Sequence, residues 1–111
     1  GHGSGSRCGD ASEGHALRAV FGDNGTSLCG SSITAATGHL GAAAGAANAA
    51  VAALAIDRQV MPPTLNLKTI DPACSGIDWI ADDAREAPIR EALALARGLE
   101  GQNVALALRA V

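Results

Sequence analysis

From Leu40 to Ile56 the chain carries no charged residue, and ten of these seventeen residues are alanine. With Gly41, Gly45 and Asn48 inside it, the run is too short and too weakly apolar to span a bilayer. It is expected to form a buried helix over roughly Gly41 to Asp57. The two glycines lie four apart on one face. Each costs about 1 kcal/mol against alanine in a helix interior, a cost explained by close backbone approach to a strand or neighbouring helix. Alanine buries little area per residue, so such a helix needs large neighbours. The 111 residues supply few, with Phe21 and Trp79 the only aromatics. That length allows one small domain at most.

Net charge is −3, and the eight Lys and Arg are scattered. This argues against partners of two kinds, nucleic acid and an anionic membrane. Cys8, Cys29 and Cys74 are widely spaced and odd in number, which argues against a closed disulfide framework. They are expected to be buried thiols in a reducing, cytoplasmic setting.

Asp10 to Val20 reads as a helix, capped by Asp10 or Ser12 and started by Glu13, with an apolar stripe at Ala16, Leu17, Val20 and Phe21. Gly22-Asp23-Asn24-Gly25 reads as a turn and Leu28 to Ile33 as a short strand. Met61 to Thr64 must be extended around Pro62 and Pro63, Ile70 to Gly76 is expected as loop, and Ile77 to Ile80 as a strand. Ala92 to Ala96 and Val104 to Val111 read as two strands joined by the hairpin-like Gly98 to Asn103. The order is α/β. By composition alone, Gly1 to Gly9 is a flexible linker or expression scar.

Four segments in register change that last reading. His2-Gly3-Ser4-Gly5-Ser6, with Asp10 and Glu13 behind it, resembles the His-Gly-Thr-Gly-Thr segment of the ketosynthases of the thiolase superfamily. Ser32 to Gly45 resembles that family's Gly-His segment and Gly-Ala-Ala-Gly helix start. Pro62-Pro63-Thr64-Leu65-Asn66 resembles its Pro-Pro-Thr-x-Asn segment, and Gly98 to Asn103 its glycine-rich C-terminal turn. The resemblance implies a fold, a partial thiolase-like αβαβα sandwich. Residues 1–111 would form part of its C-terminal half, incomplete alone and completed by another polypeptide, with unpaired edges and bare apolar faces. It also implies that the nucleophilic cysteine lies outside this chain, since none of the three cysteines sits in a matching segment.

Ketosynthases condense a cysteine-bound acyl group with a malonyl group on acyl carrier protein, losing carbon dioxide. By resemblance, His2 and His39 would donate hydrogen bonds to the charge that develops on the thioester oxygen. His15 matches no motif and is expected on a helix surface. Departures accompany the match. Thr34 replaces a lysine and Asn48 a glutamate that interact behind the family's site. Removing one partner of a buried pair costs about 3–5 kcal/mol, whereas losing both charges can be nearly neutral. In the substrate-gate turn, Gly98-Leu99-Glu100-Gly101, Leu99 stands for the gating phenylalanine and Glu100 for a glycine.

These departures, and Ala94 to Gly98, resemble the chain-length factors of type II polyketide systems, which pair with an active ketosynthase. Those subunits often lose the histidines, and this chain keeps both. The expected function is that of a ketosynthase-like subunit shaping an acyl-chain tunnel. Its partners would be the remaining ketosynthase portion or a separate ketosynthase subunit, and acyl carrier protein. No cofactor and no metal are implied. Two other readings stand beside it: a fragment of an active condensing enzyme, and a scaffold that has reused a ketosynthase piece.

Overall fold

The computed structural model describes residues 1–22 and 28–111. Helix α1 (Arg7–Phe21) begins where Ser6, in extended conformation, accepts a hydrogen bond from the Gly9 N–H, so Ser6 is the cap rather than Asp10 or Ser12. The helix therefore starts a turn earlier than apolar periodicity indicates. Of the Gly22–Gly25 turn, residues 23–25 lie outside the described residues.

Strand β1 (Cys29–Gly30) is followed by the single turn α2 (Thr34–Thr37), a 3-10 turn at Gly41–Ala43 and helix α3 (Ala44–Arg58). Short strands β2 (Val60–Met61), β3 (Asp78–Trp79) and β4 (Arg85–Glu86) come next, with a 3-10 turn at Pro72–Cys74 inside the stretch expected as loop. The chain closes with β5 (Glu91–Arg97) and β6 (Asn103–Arg109).

The strands form three pairs: β1 with β3 in parallel, and β2 with β4 and β5 with β6 antiparallel. In the last pair the register sets large against small. Leu93 faces Ala107, Leu95 faces Ala105, and Ala94 and Ala96 face Leu106 and Val104. Ala96 lets α3 approach, and a Cβ built on Gly45 would lie 3.2 Å from the Ala96 Cβ. The close-approach explanation thus holds for Gly45. Gly41 instead has φ +57° and open space around its Cβ position, so it is a turn residue whose backbone favours glycine. The loop from Gly98 to Gln102 closes through the Gly98 N–H on the Gln102 carbonyl at 2.8 Å.

At the other end of α3, Gln59 takes the left-handed conformation, φ 56°. Its side chain acts as a strand substitute: Oε1 accepts from the Ile89 N–H and Nε2 donates to the Ile89 carbonyl, both at 2.9 Å. The packed centre lies elsewhere, around Ile77 and Ile80, which are buried between β1 and the Thr64 segment.

Burial falls short at α3, at the α1 stripe and at the cysteines, the first and last of these against expectation. No residue of α3 is fully buried. In α1 the stripe is largely open, Val20 and Phe21 being exposed, while Glu13 and Gly14 form the buried face. Cys8 is exposed, and Cys29 and Cys74 are half-buried. One physical reason covers the first two: an apolar face is buried only by a neighbour, and the chain does not supply enough of them. Among the described residues the buried hydrophobics are Ile77, Ile80 and Ala94. The chain exposes 7199 Å², whereas a self-contained monomer of its mass exposes about 5,600 Å². An open apolar cleft of about 520 Å³ runs beside Val51, Ala55, Leu93 and Leu95. No helix among the described residues is long and apolar enough to cross a membrane.

Candidate functional site

The loop before α1 is folded on two carboxylates of that helix. Glu13, buried, accepts from the N–H of His2 at 2.7 Å and of Gly3 at 3.0 Å. Asp10 accepts from the Ser4 hydroxyl at 3.1 Å and from the Gly5 N–H at 3.2 Å. Gly3 and Gly5 take φ of +53° and +73°, which favours glycine at these positions. The spacing of Asp10 and Glu13 behind His2 thus has a mechanical basis: the two acids collect the donors of a loop that turns too sharply to pair them internally.

His2 is buried and held at three points. Its N–H goes to Glu13, its carbonyl accepts from the Thr34 hydroxyl at 2.9 Å, and its Nδ1 accepts from the Arg97 N–H at 3.4 Å. His39 is exposed, and its Nδ1 accepts from the Gly41 N–H at 3.1 Å. The two rings lie 5.2 Å apart between centroids, edge to face at 83°. An imidazole nitrogen that accepts a hydrogen bond carries no proton, so this network gives both neutral rings the Nε2–H form. The result is a pair of N–H donors, contributed by the segments that lead into α1 and into the 3-10 turn before α3.

Thr34 and Asn48 hold the backbone of this loop. Asn48 donates through Nδ2 to the Leu95 carbonyl at 2.8 Å and to the Gly1 carbonyl at 3.4 Å, while Thr34 holds His2. Each neutral group has a main-chain partner, so neither strands a charge. Glu100 is exposed and accepts from Gln102 at 3.3 Å, and Leu99 is fully exposed. Their hairpin loop begins at Arg97, directly beside His2. His15 is exposed on α1, away from these contacts.

Two contributors were not read as site residues in the sequence, although Glu13 belongs to the segment that carries the family resemblance. Glu13 read as a helix-start acid, because its buried side chain serves the loop preceding the helix. Arg97 fell between the expected strand Ala92 to Ala96 and the turn from Gly98, with no role read for it, yet its N–H holds His2, and its guanidinium donates to the Gly9 carbonyl at 2.9 Å. Elsewhere, Asp78 and Arg85 pair at the surface next to the Cys29 thiol. Arg85 holds the Asp78 carboxyl below the usual carboxylate range. Burial pushes the Cys29 and Cys74 thiols up, with nearby acids adding to it. Among the described residues no group of His, Cys, Asp and Glu is arranged to hold a metal ion.

Comparison with known proteins identifies the family and the fold. A 3-oxoacyl-[acyl-carrier-protein] synthase 2 from Coxiella burnetii is 36% identical over 110 residues, 99% of this chain and 26% of that protein. The structure of the ishigamide ketosynthase/chain length factor superposes with a TM-score of 0.90 at 31% identity, covering 99% of this chain and 27% of that one. A type II PKS acyl-carrier protein in complex with its ketosynthase bound to the hexaketide gives a TM-score of 0.79 at 35% identity, over 89% of this chain and 24% of that one. The chain spans roughly a quarter of the length of the curated relatives it matches, and its fold is a part of the thiolase-like fold of these neighbours. Residues 1–68 match the family described as beta-ketoacyl synthase, C-terminal domain, and the chain belongs to that family.

Proposed function

We propose that this chain supplies the two-histidine pocket of a ketosynthase-like subunit that works with an active ketosynthase in polyketide or fatty-acid-type chain building. The observation that carries the reading is the facing pair of imidazoles, each with Nδ1 occupied by a backbone N–H. When the carboxylate of a malonyl thioester leaves as carbon dioxide, the electron pair of the broken C–C bond moves onto the thioester as an enolate. Two fixed Nε2–H donors stabilise that oxygen without reorganising, and removal of one such donor costs about 10²–10³ in rate.

The thiol for condensation comes, on this reading, from outside the chain. The excess of exposed area, about 1,600 Å², supports completion by further ketosynthase structure, the remaining portion or a separate subunit, since a standard interface covers about 800 Å² per partner. The altered turn, with Leu99 and Glu100 at its tip, would contribute to the acyl-chain path and to the approach of acyl carrier protein. A second reading, a fragment of an active condensing enzyme, is favoured by the same intact imidazole pair.

One experiment separates the two: carbon dioxide release and product formation from malonyl-carrier protein by the assembly, with the partner ketosynthase's nucleophilic cysteine replaced. The subunit reading expects carbon dioxide release that falls with His2→Ala or His39→Ala, and no condensation product. Condensation product that persists would establish the second reading, and release indifferent to both histidines would reject the pocket altogether.

A further inference from the structure

From these contacts we infer that Arg97 is a positioning residue for the His2 imidazole, an inference that rests on the reading of His2 as a donor in the pocket. The backbone of His2 belongs to α1, through the two N–H groups gathered by Glu13. Its ring is held by the far end of β5, through the Arg97 N–H. These two bodies have separate neighbours: α1 packs on the Pro72–Cys74 turn, and β5 packs on β6 and α3. Among the described residues, α1 and β5 make no close backbone approach to each other. A residue whose backbone rides on one body and whose ring is held by another keeps its orientation only while their separation is fixed.

The Arg97 side chain spans that separation. Its Nη1 donates to the carbonyl of Gly9, in the first turn of α1, at 2.9 Å. The contacts close a circuit from the His2 backbone to Glu13, along α1 to Gly9, across the guanidinium to the Arg97 backbone, and back to Nδ1 of His2. The weakest member is the N–H···Nδ1 contact itself at 3.4 Å, longer than the usual range for a hydrogen bond from N–H. Slack between α1 and β5 opens it first, and Nδ1 is then free to carry the proton. The ring would lose both its direction and its fixed Nε2–H form. Lysine can reach the Gly9 carbonyl with one donor. Methionine keeps much of the apolar stem but has no donor.

The test uses the assembly containing this chain, labelled with ¹⁵N-histidine, and compares Arg97→Met with Arg97→Lys. The expected result is that Arg97→Met turns His2 from a single Nε2–H tautomer into a mixture while leaving His39, held by Gly41, unchanged. Malonyl decarboxylation should fall about tenfold to a hundredfold in kcat, with KM unchanged, and Arg97→Lys should restore both. An unchanged His2 tautomer in Arg97→Met would overturn the inference, as would equal disturbance of His39, the mark of a general loss of structure. A shifted tautomer with turnover unaffected, alongside a silent His2→Ala, would uphold the positioning and refute the proposed function instead.

Discussion

Replacing Glu13 by alanine would orphan the N–H groups of His2 and Gly3, which the carboxylate holds at 2.7 and 3.0 Å. A buried donor left without a partner costs about 1–3 kcal/mol; the His2 N–H is buried and the Gly3 N–H half-buried, so the pair implies at most about 2–6 kcal/mol. That is a large part of the roughly 5–15 kcal/mol that holds a typical domain folded. Glu13→Gln is the graded version, because the amide oxygen can still accept one N–H while the NH₂ group faces the other. About half of the loss, roughly 1–3 kcal/mol, is expected there. Because the damage is local, amide hydrogen exchange is the suitable assay. A loss of about 1.4 kcal/mol corresponds to tenfold faster exchange at the opened amides. Peptides covering residues 1–6 should exchange about tenfold or more faster in Glu13→Gln, while peptides covering β5 and β6 keep their native rates. Native protection over His2 and Gly3, or equal loss across the β5–β6 hairpin, would refute the clamp.

Other substitutions test other parts of the account. At Gly14, a Cβ would lie 2.9 Å from the Ala73 carbonyl oxygen and 3.1 Å from the Cys74 Cα. Gly14→Ala should therefore destabilise by about 1–3 kcal/mol in urea unfolding, although alanine is the better helix former by about 1 kcal/mol. The Asp78 carboxyl is held low by Arg85, so the pair's contribution is present above the ordinary carboxylate range and lost as pH falls through the folded value. Asp78→Asn should lower the urea midpoint at neutral pH, and the gap to the native protein should narrow below about pH 4. Salt should shrink that gap too, because the pair is largely exposed. Alkylation followed by mass spectrometry should modify exposed Cys8 ahead of Cys29 and Cys74, whose raised thiols yield less thiolate at pH 8.

Much of this was legible before any coordinates. The alternation of Leu with Ala in β5 and β6 and the glycine-rich turn between them mark a hairpin, because period two and turn chemistry are local properties. The alanine run marks a helix for the same reason. What local pattern could not give was burial, which depends on neighbours: α3 and the Val20–Phe21 end of α1 are apolar but lie open. The α1 cap was misplaced because Ser6 stands before any apolar residue of the helix, where periodicity has no purchase. The two histidines were found through a motif, and the grip on them was not. Glu13 and Arg97 act on His2 across 11 and 95 residues of sequence, and Thr34 and Asn48 proved to bond main-chain carbonyls. Contacts to backbone leave no local pattern in side-chain identity, and the spacing of Asp10 and Glu13 behind His2 is visible only through the motif.

The central claim is that His2 and His39 act together on one developing negative oxygen. A double-replacement cycle on carbon dioxide release from malonyl-carrier protein tests it most directly, with His2→Ala, His39→Ala and both in the assembled protein. Groups that act as a unit are grossly non-additive, so the account expects the double variant to lose scarcely more than the worse single one. Losses that simply multiply, or release that survives both replacements, would contradict it.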